Sequence, residues 1–148
     1  MKTLFKSMAI VAPTATTAIS ETQGITDTEV LIGSNQDRSG PFAAFGAPAV
    51  QAAKLYFEEV NAAGGVHGRQ IRLVVEDHAY QMPKAMSALN KLVNSDKVFA
   101  MLLSLGTPMN IASFPLLESK QIANVSPLTA ARQMIEPPKV RPLAFTAS

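Results

Sequence analysis

From Glu29 onward the apolar positions switch between two spacings. Val30-Leu31-Ile32 is a short aliphatic run closed by Gly33-Ser34-Asn35, and a loop rich in Ser, Gly and Pro spans 36–46. Val50, Ala53, Phe57 and Val60 then recur at helical spacing, with Gln51, Lys54, Glu58 and Asn61 one position round the wheel. Ala62-Ala63-Gly64-Gly65 ends that helix with the expected glycines. The run 71–75 reads as a second strand, closed by Glu76-Asp77. A second helix turns Met82, Met86, Leu89 and Val93 inward, with Lys84 and Lys91 outward. A third strand, 98–103, is almost wholly apolar. Gly106-Thr107-Pro108 opens a third helix, with Thr107 as its N-cap and Pro108 as its first residue. A fourth strand is predicted at 122–125 and a fifth at 143–146.

Strands alternating with helices imply βαβ crossovers and a parallel sheet. Uniformly apolar strands suit a sheet covered on both faces. The fold class is therefore α/β, a doubly wound parallel sheet of Rossmann-like type. In such sheets ligands sit beyond the carboxyl ends of the strands. Those ends carry Ser34, Asn35, Gln36, Asp37, Ser39 and Gly40 after the first strand. Ser104, Gly106 and Thr107 follow the third, and Ser126 and Thr129 the fourth. Hydroxyls and backbone N–H groups at helix N-termini bind an anion or carboxylate without any catalytic group. Ser and Thr also favour helix caps whatever the function, so one such residue decides nothing. Three neighbouring strand ends of this kind favour a binding rim.

The first twenty residues are different. Lys2 and Lys6 precede an uncharged stretch, and Ala18-Ile19-Ser20 places small residues before a cut at Glu21, the layout of a secretory signal peptide. No other segment approaches the roughly 18 apolar residues of a membrane span. The 148 residues suit one domain with a sizeable core. With 47% hydrophobic and 16% charged residues, the chain is too apolar for intrinsic disorder. The formal charge of +2 belongs to the leader, since the chain after residue 20 carries equal numbers of acids and bases. No Lys/Arg cluster supports nucleic-acid binding. The absence of Cys excludes disulfides, thiolate metal sites and cysteine nucleophiles. His67 and His78 lack metal-ligand spacing, so no metal or cofactor is expected. A dinucleotide site would need G-x-G-x-x-G after the first strand, where Gly33 is instead followed by Ser34-Asn35-Gln36-Asp37. There is no P-loop lysine in that loop, and no G-x-S-x-G. A phospho-acceptor domain would need an Asp ending the third strand, which ends in Leu103-Ser104. Enzyme readings are thereby disfavoured.

Several stretches carry a resemblance. They are Val30-Leu31-Ile32-Gly33, Ser39-Gly40-Pro41 with Phe45-Gly46, and Asn61-Ala62-Ala63-Gly64-Gly65-Val66-His67-Gly68-Arg69. Glu76-Asp77, Lys91-Leu92-Val93, Gly106-Thr107 and Ser126-Pro127-Leu128-Thr129 complete the set. In these the segment 24–148 resembles the opening part of periplasmic solute-binding proteins of the leucine/isoleucine/valine type, receptors for ABC importers. The resemblance implies a non-catalytic, extracytoplasmic receptor that closes two lobes around a small amino acid or carboxylate and delivers it to a membrane permease. Related receptors take amides, urea and aromatic acids. It implies that Thr107 bonds the ligand carboxylate through its hydroxyl, and that Leu128 offers a backbone carbonyl to the ligand amino group. The matching amino-group hydroxyl falls at Ala130, with Thr129 one residue early. Phe45 would pack on the ligand side chain, and Ser39, Ser104 and Gly106 complete the expected rim. Members of the family are bilobed and more than twice as long. The expectation is a leader at 1–20 and an N-terminal lobe segment at 21–148. A ligand-sensing domain of a regulator shares this fold and is the alternative.

Overall fold

The computed structural model describes residues 22–134 and the short strand at 144–145. The expected leader lies outside the described residues. Five strands form one sheet: β1 (Glu29–Gln36), β2 (Gln70–Asp77), β3 (Ala100–Leu102), β4 (Ala123–Val125) and β5 (Ala144–Phe145). Their order is β2-β1-β3-β4-β5 and every neighbouring pair is parallel. The connecting helices are α1 (Ala43–Ala62), α2 (Met82–Asn90) and α3 (Thr107–Ser119). The doubly wound parallel class expected from the sequence is the one found.

Topology decides which face each helix covers. The chain moves outward from β1 to β2, then returns past β1 to β3. Right-handed crossovers with that reversal put α1 on one face and α2 and α3 on the other. Strand alternation agrees. Leu31 and Met101 point into the main core with Leu89, Leu92, Val93, Val98, Leu117 and Ile122. Their neighbours Val30, Ile32 and Leu102 point the opposite way, toward Phe57 of α1. On this second face α1 packs over β1 and β2. Beside it an open apolar hollow of about 410 Å³ runs over the remaining strands, lined by Ile32, Phe99, Leu102 and Val125 among others.

Three local expectations are corrected. β1 does not stop at Gly33 but continues through Ser34, Asn35 and Gln36, all buried. The Ser34 hydroxyl donates to the Leu102 carbonyl at 2.6 Å, and Asn35 Nδ2 to the Ala85 carbonyl at 2.9 Å. Gln36 Nε2 donates to Ser34 Oγ and to the Leu103 carbonyl. Their donors are satisfied in this way, while Asn35 Oδ1 and Gln36 Oε1 are buried without a hydrogen-bond partner. Second, α2 runs on into one π turn, Lys91–Ser95, which carries Leu92 and Val93 into the core. Third, Gly106 rather than Thr107 is the N-cap of α3. Its φ of 105° lies in the left-handed region, and a Cβ there would come within 3.0 Å of the Tyr80 ring and of Met109 Sδ. Thr107 and Pro108 are thus the first two helical residues, and the Thr107 hydroxyl is released from capping.

Candidate functional site

Beyond the carboxyl ends of the strands lies a cleft of about 600 Å³. It opens at the reversal point between β1 and β3, where the following loops depart to opposite faces of the sheet. The segment after β1 and the start of α1 supply Phe42, Phe45 and Ala49, and the turn after β2 supplies Tyr80. The β3–α3 loop supplies Leu105, Gly106 and Thr107, and the segment after β4 supplies Leu128, Thr129 and Ala130.

Two carboxylates fix the aromatic side. Asp37, fully buried, accepts the Gly40 N–H at 2.6 Å and the Phe42 N–H at 2.8 Å. A Cβ on Gly46 would overlap the Asp37 carbonyl oxygen, so glycine lets α1 start against this loop. Asp77 accepts the N–H groups of Arg38 (2.9 Å) and Ala79 (3.0 Å) and the Ser39 hydroxyl. Burial raises the Asp77 pKa, but these hydrogen bonds outweigh it and hold the carboxyl below its ordinary value.

His78 joins the two halves of the cleft. Its Nδ1 accepts the Tyr80 N–H at 2.9 Å, which leaves the proton on Nε2, 3.1 Å from the Leu105 carbonyl. The neutral ring thus satisfies both partners. Full burial pushes its pKa down, against the opposing pull of the Leu105 carbonyl and of Asp37 and Asp77. Tyr80, at φ 56°, is turned over Gly106, and its ring lies 4.4 Å from that of Phe42. Phe42 is in turn 6.5 Å from Phe45, which is 67% exposed and presents its ring to the opening.

The opposite rim is tied by backbone. A parallel bridge joins Leu105 and Leu128: the Gly106 N–H donates to the Leu128 carbonyl at 3.1 Å and the Leu128 N–H to the Ser104 carbonyl at 2.9 Å. Thr107 Oγ1 accepts from Thr129 Oγ1 at 3.0 Å and from the Ala130 N–H at 3.2 Å. Thr129 Oγ1 also accepts the Ala131 N–H at 3.1 Å. Both acceptor positions of the Thr107 hydroxyl are filled, so its proton is what it offers the cleft. It stands in the first turn of α3, where backbone N–H groups lack intrahelical acceptors and the helix dipole favours negative charge.

Of the residues expected at the site, Phe45, Gly106, Thr107, Leu128, Thr129 and Ala130 meet in this one cleft. Ser39 and Ser104 do not line it: Ser39 is held by Asp77, and Ser104 is buried beneath the floor beside Asn35 and Asn110. Phe42, Ala49, Tyr80 and Leu105 are additional lining residues. Tyr80 follows the carboxyl end of β2, but it reaches the cleft through a left-handed turn that no local sequence pattern marks. Among the described residues, no Asp, Glu, Lys, Arg or His lines the cleft, and no group of three or more His, Asp or Glu could hold a metal ion. Such a lining can hold a solute.

A parallel α/β sheet carrying a cleft of hydroxyls, helix N-terminus and aromatic rings at its topological reversal is the architecture of a ligand-binding lobe. The chain belongs to the periplasmic binding protein family, whose model matches residues 29–148. It is 29% identical over 122 residues to an amino acid binding protein of Pseudomonas aeruginosa, covering 80% of this chain and 33% of that protein. Among solved structures it is similar to a fatty acid ABC transporter substrate-binding protein from Thermomonospora curvata. That pair shares 39% identity and a TM-score of 0.66, over 70% of this chain and 26% of that one. It is also similar to a branched-chain amino acid transporter substrate-binding protein from Streptococcus pneumoniae in complex with isoleucine. There the identity is 26% and the TM-score 0.69, over 80% of this chain and 33% of that one. The chain thus spans about a third of the length of the curated relative it matches.

Proposed function

We propose that the chain supplies one wall of the solute site in an extracytoplasmic receptor of an ABC importer. On this reading residues 1–20 are a leader, 21–148 form the N-terminal lobe segment, and the loaded receptor hands its ligand to a membrane permease without chemical turnover. The ligand is a small carboxylate, a branched-chain amino acid or a related apolar acid. The observation that carries the reading is the cleft itself: a hydroxyl with a free proton at a helix N-terminus faces an aromatic wall, and among the described residues no charged side chain lines the space. A carboxylate held by neutral donors beside an apolar pocket is the arrangement small-molecule sites use. The ligands for which its relatives are named, amino acids and a fatty acid, share that carboxylate chemistry.

The test is an amide-resolved NMR titration of the chain with leucine, isoleucine and short-chain fatty acids. Millimolar binding is expected, because one wall leaves most of a ligand hydrated. Shifts centred on Phe45, Gly106, Thr107 and Thr129 support the proposal. Shifts confined to the hollow on the α1 face, or none with any acid, would refute it.

A further inference from the structure

The buried ring of His78 can serve both halves of the cleft in one protonation state only. Leu105 presents a carbonyl, which can only accept, so the proton sits on Nε2. Tyr80 presents an N–H, which can only donate, so Nδ1 must keep its lone pair. A second proton, on Nδ1, would set donor against donor at 2.9 Å. The turn closed by this bond is strained. Ala79 and Tyr80 stand consecutively at φ 48° and 56°, a costly region for residues with a Cβ. Three hydrogen bonds hold them there. Asp77 Oδ1 accepts the Ala79 N–H, His78 Nδ1 the Tyr80 N–H, and the His78 carbonyl the Gln81 N–H at 2.8 Å. The second is the one that a proton on the ring removes.

The surroundings decide when that proton arrives. Asp37, on the segment after β1, and Asp77, on the ring's own turn, both draw it in. Tyr80 is the third titratable neighbour, its ring centroid 6.3 Å away, and the β3–α3 loop, 103–106, brings no titratable side chain. Burial opposes the charge and prevails, so the ring is neutral at pH 7 and charges only in acid.

Resting on the solute-receptor reading, we propose that His78 is a positioning residue that works as an acid latch on the cleft. Its protonation releases the Tyr80 N–H, the left-handed turn relaxes, and the Tyr80 ring leaves Gly106 and Phe42. The cleft then loses part of its aromatic wall. Tyr80 lines the ligand space, and His78 acts on a ligand only through it. By linkage, a ligand seated against Tyr80 favours the neutral ring, so binding and proton uptake oppose each other.

The test follows the full chain by NMR from about pH 7.5 to 5. At the upper end the ring should show a proton on Nε2 and a bare Nδ1. As the ring charges, the Tyr80 amide should shift in the same step and lose protection from exchange, while core amides such as Leu92 and Met101 stay put. Leucine and hexanoate, with Kd counted on the ionised acid, should bind about tenfold more weakly once about a tenth of the molecules remain latched. His78→Asn supplies a side-chain carbonyl to the Tyr80 N–H and does not titrate, so its Kd should not change with pH. Should that variant fail to fold, the unaltered chain decides alone. A proton on Nδ1 at neutral pH would overturn the latch, as would a Tyr80 amide that moves only together with the core. Affinity that holds constant while Tyr80 moves would overturn its control of the site and leave the receptor reading standing. Failure of both acids to bind at any pH would overturn the receptor reading, and the latch's role in it.

Discussion

Replacing Thr107 by Val keeps the shape of the side chain and removes only its oxygen. Two internal hydrogen bonds go with it, from Thr129 Oγ1 and the Ala130 N–H. Thr129 is half-buried and Ala130 exposed, so water can replace the lost acceptor for both. At the low end of the usual range, near 0.5 kcal/mol each, the stability loss is about 1 kcal/mol. Binding should suffer more. A hydrogen bond to a charged group contributes roughly 1.5–3 kcal/mol, which corresponds to about a ten- to a hundredfold weaker Kd for a carboxylate. Thr107→Ser keeps the oxygen and should restore most of the affinity. NMR titration gives the Kd values and urea denaturation the stabilities of all three proteins. If Thr107→Val binds a carboxylate as the unaltered chain does, while Ala130 and Thr129 amides report a loosened rim, then Thr107 only organises the helix start. The carboxylate would then be held elsewhere.

Other consequences are equally direct. The pKa of buried His78 is lowered, so the unfolded chain takes up its proton first as pH falls. Stability is therefore full above the ordinary histidine value of 6.5 and declines below it. Urea midpoints that stay flat from about pH 7.5 to 5 would refute the buried neutral ring. Asp77 adds a loss of the same sign, but only as pH falls below 3.8. Gly46→Ala sets a methyl against the Asp37 carbonyl and should cost roughly 3 kcal/mol, read from the unfolding midpoint; a change within experimental scatter would contradict the close approach of α1. The apolar hollow beside α1 should make the chain self-associate, seen as sedimentation that depends on concentration, and Phe99→Asp should suppress it. Monomeric sedimentation of the unaltered chain at all concentrations would show that this face is not adhesive.

Hydrophobic spacing made the order of elements legible, because α1, α2 and the apolar strands each bury one periodic stripe. It placed the end of β1 too early, since Ser34, Asn35 and Gln36 look like loop residues until their partners on Leu102, Ala85 and Leu103 are known. Such partners are distant in sequence and leave no local pattern. The same limit hid Tyr80, which reaches the cleft through a left-handed turn held by a histidine ring. Thr107 was legible as a site residue for a partly mistaken reason. Its hydroxyl is available because Gly106 takes the cap position, not because Thr107 fills it. Ser104 has the right residue type at the right strand end, yet the pleat sends it under the floor.

The position of β1 between two strands that follow it in the chain has a consequence for assembly. As the polypeptide emerges, β1, α1 and β2 can associate as a local unit, since Glu29 through Gln36 find their partners within the next few dozen residues. The second edge of β1 must wait for β3: Ile32 pairs with Ala100, across a loop whose closure is entropically slower. Later strands only extend the edge that this event creates. The cleft draws Phe42 and Phe45 from one side of that junction and Thr107 from the other. Ligand competence therefore follows the slow pairing step, and binding reports that the sheet has closed around its first strand.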